Sequence, residues 1–213
     1  LDPELIKLAN KECLLSSTYE PSSKTKMKLR AAPGAGTMYL QSECAEALAE
    51  LFAGAEEAGY KLYLKSAYRA YKTQKTMYNN RLERNNGKDD GWVSKPGASD
   101  HQTGLGCDVV PGSWKDKSMN SNMASTPECQ WMAEHCYEYG FVIRYPEDKQ
   151  DITEINYEPW HLRYVGKEVA RYIWRNGLCL EEFHEQLQAA IDAYLAAGGD
   201  ARRVEDLIQT SAE

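Results

Sequence analysis

Two short segments that lie far apart along the chain carry the residues of one chemical site, and this constrains the fold more than any other feature. Residues 99–108 read SDHQTGLGCD and residues 158–161 read EPWH, so together they offer two imidazoles, one carboxylate ligand and a further carboxylate. Three protein ligands leave one coordination position of a zinc ion open for water, as in catalytic rather than structural zinc sites. The segments therefore predict a hydrolytic zinc site that the fold must assemble.

The sequence of the first segment indicates how it presents two ligands. Gly104 and Gly106 predict a turn between His101 and Asp108, and a short β-prone run follows that turn. Neighbouring side chains on a strand face opposite ways, so Cys107 would point into the core if Asp108 points to the metal. A turn that leads into a strand can thus bring both ligands to one point.

The second segment supplies the third ligand and a base. Pro159 stands between Glu158 and His161 and argues against a helix interior, so we expect a strand-and-loop site rather than a helical one. Bound zinc lowers the pKa of a water molecule toward about 7 and polarises a scissile carbonyl. Glu158 could take the proton of that water and pass it to the leaving amine, which is the chemistry of a metallopeptidase.

The other two histidines lack a partner at ligand spacing. His135 lies in a helical run over residues 128–139, and His184 lies in another over residues 180–195. We predict that both are ordinary surface or packing residues of helices.

The two segments resemble those of the VanY-type D-alanyl-D-alanine carboxypeptidases, which share a fold with the VanX-type dipeptidases and the Hedgehog signalling domain. A third segment, SAYRAYKTQ at residues 66–74, is similar to the arginine motif of that family. The resemblance extends from about Leu5 to Phe183 and includes residues 139–146, 164–168 and 177–183. Gly106 departs from the alanine that is usual in the family, but a smaller residue threatens no ligand.

The resemblance implies a role for each site residue. His101, Asp108 and His161 would hold one Zn²⁺ per chain, Glu158 would be the catalytic base, and Arg69 would stabilise an oxyanion or hold a substrate carboxylate. Gln74, Ser99 and Tyr145 match positions that line the substrate pocket in relatives, and Trp160 would form a pocket wall. Core packing is the alternative interpretation for Tyr145 and Trp160, because aromatic side chains are mostly buried.

The resemblance also implies a reaction, namely hydrolysis of the C-terminal D-alanine from peptidoglycan stem peptides. The shared motifs do not decide between a D,D- and an L,D-carboxypeptidase. One alternative is a peptidoglycan endopeptidase of the same fold. Another is a catalytically silent, zinc-containing binding module, as in the Hedgehog case, although an intact Glu158 and Arg69 count against it.

The charge, the hydropathy and the first residue of the chain indicate which classes of partner the protein has and where it acts. The net charge of −7 argues against nucleic acid, and no apolar run is long enough for a membrane segment within this chain. The chain begins at Leu1 rather than Met, and we expect an export or anchor segment to precede it and the protein to act extracytoplasmically, facing the cell wall. Six cysteines without a CxxC pair permit disulfides in such a protein, but their pairing is open.

The alternation of helical and strand-like segments predicts an α+β fold with a small, mostly antiparallel sheet flanked by helices. Helices are predicted at residues 42–58, 71–85, 167–176, 180–195 and 201–210, and strands at residues 60–68, 107–110, 141–144 and 162–165. We expect residues 1–184 to form the carboxypeptidase domain. Residues 185–213 would form a C-terminal helical extension packed on it.

Overall fold

A computed structural model describes residues 1–209 of the chain. Its strands are β1 (Thr25–Lys26), β2 (Tyr39–Leu40), β3 (Leu62–Ser66), β4 (Gly106–Pro111), β5 (Phe141–Ile143) and β6 (His161–Tyr164). Its α-helices are α1 (Ser42–Glu57), α2 (Tyr71–Arg84), α3 (Pro127–His135), α4 (Gln150–Thr153), α5 (Lys167–Asn176), α6 (Leu180–Ala196) and α7 (Glu205–Gln209). None of the helices in this part of the chain is long and apolar enough to cross a membrane.

Four strands form the central sheet in the order β3-β4-β6-β5, and every neighbouring pair is antiparallel. Strands β1 and β2 form a separate two-stranded antiparallel ribbon. The central strand β4 is buried along its whole length, which places its polar residue Asp108 inside the molecule. This α+β architecture confirms the predicted fold class.

Helix α1 covers the sheet because its apolar residues recur every three or four positions and so share one face. The side chain of Gln41 starts the helix by accepting hydrogen bonds from the backbone amides of Glu43 and Cys44. The buried face of α1 packs into the main core together with residues of β3 and β4, among them Leu48, Leu51, Phe52, Leu62, Leu64, Val109 and Val110.

A second apolar cluster joins the N-terminal segment to helices α5 and α6. Ile6 is fully buried there, in the same cluster as Val169, Ile173 and Phe183. Helix α6 runs through position 184 without a break, so the division of the chain after that residue stays a prediction.

Most predicted elements are confirmed to within a few residues, and two helices are shorter than predicted. The helix predicted over residues 128–139 ends at His135 and continues as a 3₁₀-helix, Cys136–Tyr139. The helix predicted over residues 201–210 is interrupted at Val204, and Thr210 lies outside the described residues.

The two remaining histidines have the structural roles that were predicted. His135 lies 2.8 Å from Glu138 on the surface, and the Nε2 atom of His184 forms a hydrogen bond with the carbonyl of Ile6. The five buried cysteines are thiols rather than disulfide partners; they are Cys44, Cys107, Cys129, Cys136 and Cys179.

A buried ion network connects the sheet to the N-terminal segment and to α6. Asp100 is fully buried; its Oδ1 lies 2.7 Å from Arg163 Nη1, and its Oδ2 lies 2.8 Å from Arg144 Nε. Both terminal nitrogens of Arg144 bind Glu181, at 2.8 and 2.7 Å. Arg163 also donates to the carbonyls of Leu5 and Lys7, at 2.9 and 2.7 Å. The network therefore joins five separate segments of the chain.

Arg144→Met should lower the free energy of unfolding by about 3–5 kcal/mol, because it leaves the buried carboxylates of Asp100 and Glu181 without their shared cation. The exposed Arg171 on α5 provides the control, and Arg171→Met should change stability by no more than about 0.5 kcal/mol. Urea unfolding of both variants measures the difference. Equal stabilities would show that the network contributes nothing to the fold.

Candidate active site

A short 3₁₀-helix, Asp100–Thr103, presents the first histidine. The hydroxyl of Ser99 accepts a hydrogen bond from the backbone amide of His101, and Gly104 ends the helix with φ of 71°. A left-handed residue suits glycine, which has no Cβ to clash. Gly106 follows at a close approach, where a Cβ would lie only 2.8 Å from the Cβ of Asp100. The glycines thus allow the chain to fold tightly back onto the ion network.

Strand pairing and a tight turn bring the other acidic and imidazole groups to the same place. Asp108 on β4 lies directly opposite His161 on β6. The amide of His161 donates to the carbonyl of Glu158 at 3.2 Å, which closes a turn with Pro159 at its second position. Proline favours that position because its φ is already restricted. Glu158 and His161 therefore share one end of the sheet.

The two imidazoles and Asp108 form a cluster that could hold a metal ion. Asp108 Oδ1 lies 3.4 Å from His101 Nε2 and 3.5 Å from His161 Nδ1. Ligands of a tetrahedral zinc ion with bonds of about 2.1 Å are about 3.4 Å apart. Asp108 Oδ1 is buried and has no hydrogen-bond partner among the described residues. The residues present thus fit a small cation with tetrahedral coordination.

The groups behind the imidazoles orient both rings. His101 Nδ1 lies 2.7 Å from the carbonyl of Ala67, so Nδ1 carries the hydrogen and donates it to that carbonyl. The other nitrogen, Nε2, therefore has a free lone pair on the side of Asp108. Behind the second ring, His161 Nε2 faces Asp100 Oδ2 at 3.8 Å. The ion network is therefore in direct contact with the cluster.

Burial and neighbouring charges shift the pKa values of the cluster. Burial, with the help of the nearby His101, lowers the pKa of His161 to about 3, so the ring is neutral and free to act as a ligand. Burial alone would raise the pKa of Asp108, but His101 and His161 bring it below the ordinary value. Burial and the charge of Asp108 raise the pKa of Glu158 well above that of an exposed glutamate.

The predicted arginine lies beside the cluster in a fixed orientation. Arg69 Nη1 donates to Gln74 Oε1 at 2.9 Å, and Nη2 donates to the hydroxyl of Ser66 at 3.0 Å. Gln74 is itself held by a 2.7 Å hydrogen bond from its Nε2 to the carbonyl of Ser94. Burial lowers the pKa of Arg69, while Asp108 and Glu158 act in the opposite direction, which places the guanidinium in the electrostatic reach of both carboxylates.

A pocket of about 370 Å³ opens over the cluster. It is lined by every site residue that the sequence predicts, namely Arg69, Gln74, Ser99, His101, Asp108, Tyr145, Glu158, Trp160 and His161. The ring of Tyr145 lies edge-on to that of His161, with the ring centres 5.0 Å apart. Tyr145 and Trp160 are also nearly fully buried, so each both lines the pocket and packs in the core.

Several pocket and support residues were missed from the sequence. Trp92 stacks on Trp160 with ring centres 6.4 Å apart and lines the pocket; the polar loop at residues 86–91, which directly precedes it, was the available signal. Asp100, Arg144 and Arg163 gave no signal, because charged residues in a sequence are normally assigned to the surface.

Comparisons with known proteins agree with this geometry. The family model of VanY, described as D-alanyl-D-alanine carboxypeptidase, matches residues 37–167. The "putative carboxypeptidase YodJ" of Bacillus subtilis is 39% identical over 191 residues, which cover 88% of this chain and 70% of that protein.

Two solved structures have the same fold. The LD-carboxypeptidase LdcB superposes with a TM-score of 0.79 at 40% identity, covering 86% of this chain and 87% of the other. A mutant of the D,D-pentapeptidase VanY from a VanB-type resistance cassette, solved in complex with Zn(II), superposes with a TM-score of 0.70 at 28% identity, covering 84% and 98%. The chain belongs to the VanY family of D-alanyl-D-alanine carboxypeptidases.

Proposed function

We propose that this protein is a zinc-dependent carboxypeptidase that removes the C-terminal D-alanine from peptidoglycan stem peptides outside the cytoplasm. The observation that carries the proposal is the buried cluster of His101, Asp108 and His161, which lies in one pocket with Glu158 and Arg69. Carboxypeptidase activity follows from the family. The zinc ion, the stem peptide and the individual roles of the residues are inferred from the site.

The two imidazoles and the carboxylate of Asp108 would hold one zinc ion and leave its remaining position open toward the pocket. A zinc ion in such a site supplies Lewis acidity, which polarises a carbonyl group and lowers the pKa of a water molecule. The hydrogen bond from His101 Nδ1 to the carbonyl of Ala67 keeps Nε2 available as the ligand atom. The complex of a family member with Zn(II) supports this choice of metal.

Glu158 would act as the general base and then as the general acid. Its Oε2 lies 3.4 Å from His161 Nδ1. This carboxylate is therefore next to the cluster but is not one of its three proposed metal ligands. A carboxylate at that position can accept the proton of the attacking water and return it to the amine of the released D-alanine. The backbone amide of Glu158 donates to the carbonyl of Tyr145 at 3.0 Å, which fixes the residue in the turn.

Arg69 would bind the negative charge of the substrate. Its planar guanidinium can form two parallel hydrogen bonds with the terminal carboxylate, or stabilise the oxyanion that develops at the scissile carbonyl. Gln74 would set its orientation from behind, Ser99 would hold the helix of His101, and Tyr145 and Trp160 would form apolar pocket walls. A free carboxylate at the end of the peptide is thus the feature that this pocket is built to recognise.

The scissile bond can be D,D or L,D, since the family contains proteins described in both ways. Pentapeptide and tetrapeptide stems, each tested for release of free D-alanine, distinguish the two specificities. Cleavage inside the stem or cross-bridge without release of D-alanine would instead identify an endopeptidase.

His161→Ala and Asp108→Asn should each abolish tight zinc binding together with activity, because two remaining ligands cannot hold the ion tightly. His135→Ala should retain zinc, since His135 lies outside the cluster on the protein surface. Elemental analysis after exhaustive dialysis measures the zinc content. Equal zinc content in all four proteins, including the parent, would contradict the ligand assignment.

Glu158→Gln should keep the zinc ion but lower turnover about 10²- to 10⁴-fold, the usual contribution of a positioned acid or base. The exposed Glu147 supplies the control, and Glu147→Gln should turn over at the parental rate. Turnover is measured as D-alanine released from a stem peptide at saturating substrate. A near-normal rate in the zinc-loaded Glu158→Gln protein would mean that another group is the base.

Amidation of the terminal D-alanine should lower kcat/KM at least about tenfold, since a charge-assisted hydrogen bond contributes roughly 1.5–3 kcal/mol. Arg69→Lys keeps the charge but loses the planar fork, so this variant should be impaired and should discriminate less between the free and the amidated peptide. The exposed Arg84 on α2 provides the control as Arg84→Lys. Chromatography of the released amino acid or amide measures both rates. If the parental protein cleaves the free and the amidated peptide equally fast, the endopeptidase is favoured.

A further inference from the structure

We propose that the outer face of strand β3 binds a linear phosphodiester polymer, and that this face lies next to the catalytic pocket. We define the basic face as five cationic residues around Tyr63, namely Arg30, Lys61, Lys65, Lys115 and Lys117. The inference concerns binding rather than catalysis, and it does not require the proposed reaction.

Strand β3 is an edge of the central sheet and presents alternate residues outward. Leu62 and Leu64 are buried, whereas Lys61 is exposed and Tyr63 and Lys65 are half-buried. Because a strand rises about 3.3 Å per residue, Lys61 and Lys65 are about 13 Å apart along it. That separation is too large for one phosphate group, and it suits a ligand that carries several charges in a row.

Two further segments bring their cations to the same face. The guanidinium carbon of Arg30 lies 5.5 Å from the centre of the Tyr63 ring, and Lys115 Nζ lies 5.6 Å from it. Lys65 Nζ donates to the backbone carbonyl of Lys117, which fixes the segment after β4 against β3. These contacts join the three segments on one side of β3.

This surface is positive although the whole chain is acidic. The chain has a formal net charge of −7. Within the part that the structure describes, Arg30 alone among the five has a carboxylate partner, Glu56 at 3.6 Å. Asp116, in the loop between Lys115 and Lys117, is a second carboxylate near the face. Since the face has five cations and only these two carboxylates beside them, it keeps an excess of positive charge. Such a local excess attracts polyanions even when the net charge is negative.

The aromatic residues of the face distinguish the polymer from other anionic partners. Tyr63 is half-buried and carries the two cations of Arg30 and Lys115, and Trp114 is half-buried with Lys117 Nζ 5.3 Å from its ring centre. Neither ring is therefore free to stack on a base or to insert into a lipid layer. Single-stranded nucleic acids need exposed stacking rings, and interfacial membrane binding needs protruding apolar side chains. A water-soluble polymer of phosphodiesters needs neither.

The face is continuous with the catalytic pocket. Met119 and Asn120 line the pocket and lie only two and three residues after Lys117. A polymer bound along β3 would therefore lie beside the catalytic pocket.

The test compares two doubly charge-reversed proteins with the same net charge. Lys115→Glu/Lys117→Glu changes the basic face, whereas Arg171→Glu/Arg175→Glu changes exposed residues of α5, which packs against β5 at the opposite edge of the sheet. The probe is fluorescent poly(glycerol phosphate), titrated by anisotropy at low and at physiological ionic strength. Release of D-alanine from a short stem peptide is followed in parallel.

The parental protein should bind the polymer, and its affinity should fall steeply with salt as counterions return to the phosphates. The Lys115/Lys117 variant should bind at least about tenfold more weakly and lose part of the salt dependence, while the Arg171/Arg175 variant stays within about twofold of the parent. Both variants should cleave the short peptide at the parental rate.

Three outcomes would overturn the proposal. The first is no binding of the parent at low salt, and the second is equal weakening in both variants, which would reflect net charge alone. The third is tighter parental binding to vesicles containing phosphatidylglycerol than to the polymer, which would assign the face to a membrane surface.

Discussion

The buried carboxylate of Asp100 forms two ion pairs, with Arg144 and Arg163, and these connect the sheet to the N-terminal segment and to α6. It lies between the guanidinium groups of Arg144 and Arg163, and all three side chains are fully buried. Removing charges from water costs several kcal/mol per ion, and the loss is offset only where the geometry is close and the remaining hydrogen bonds are made. Glu181 and backbone carbonyls of the N-terminal segment complete those bonds here.

This constraint organises the site because the network and the cluster share residues of the same elements. Asp100 opens the 3₁₀-helix that presents His101, and Arg163 lies two residues after His161 on β6. Asp100 Oδ2 and His161 Nε2 face each other, and apart from the ion pair between Asp100 Oδ2 and Arg144 Nε neither atom has a hydrogen-bond partner within the described part of the chain. A carboxylate behind a ligating imidazole is a common way of fixing its orientation. The cluster is thus held from behind by charges that cannot easily rearrange.

The pocket and the basic face place charged groups of one sheet in two different environments, and we propose that each recognises a different ligand. In the pocket, charged groups are buried, oriented by hydrogen bonds and shifted in pKa, which suits the recognition of one peptide end. On the outer face of β3, four of the five cations have no carboxylate partner among the described residues, which suits a loosely held polyanion. The segment from Lys115 to Asn120 connects the two, and its backbone is anchored to β3 through Lys65.

Local sequence patterns were enough to predict the elements and the site residues that depend on them. The apolar period of α1, the turn at the glycines after His101 and the absence of a helix at Pro159 are local features, and so their predictions agree with the structure. The family motifs named all nine predicted site residues, which the structure places around one pocket.

What the sequence could not show is the pairing of Asp100 with Arg144 and Arg163, since charged residues 44 and 63 positions away carry no signal of their burial. Only tertiary structure decided that pairing, the stacking of Trp92 on Trp160 and the gathering of cations around Tyr63, because each is made by contacts between segments that are distant along the chain.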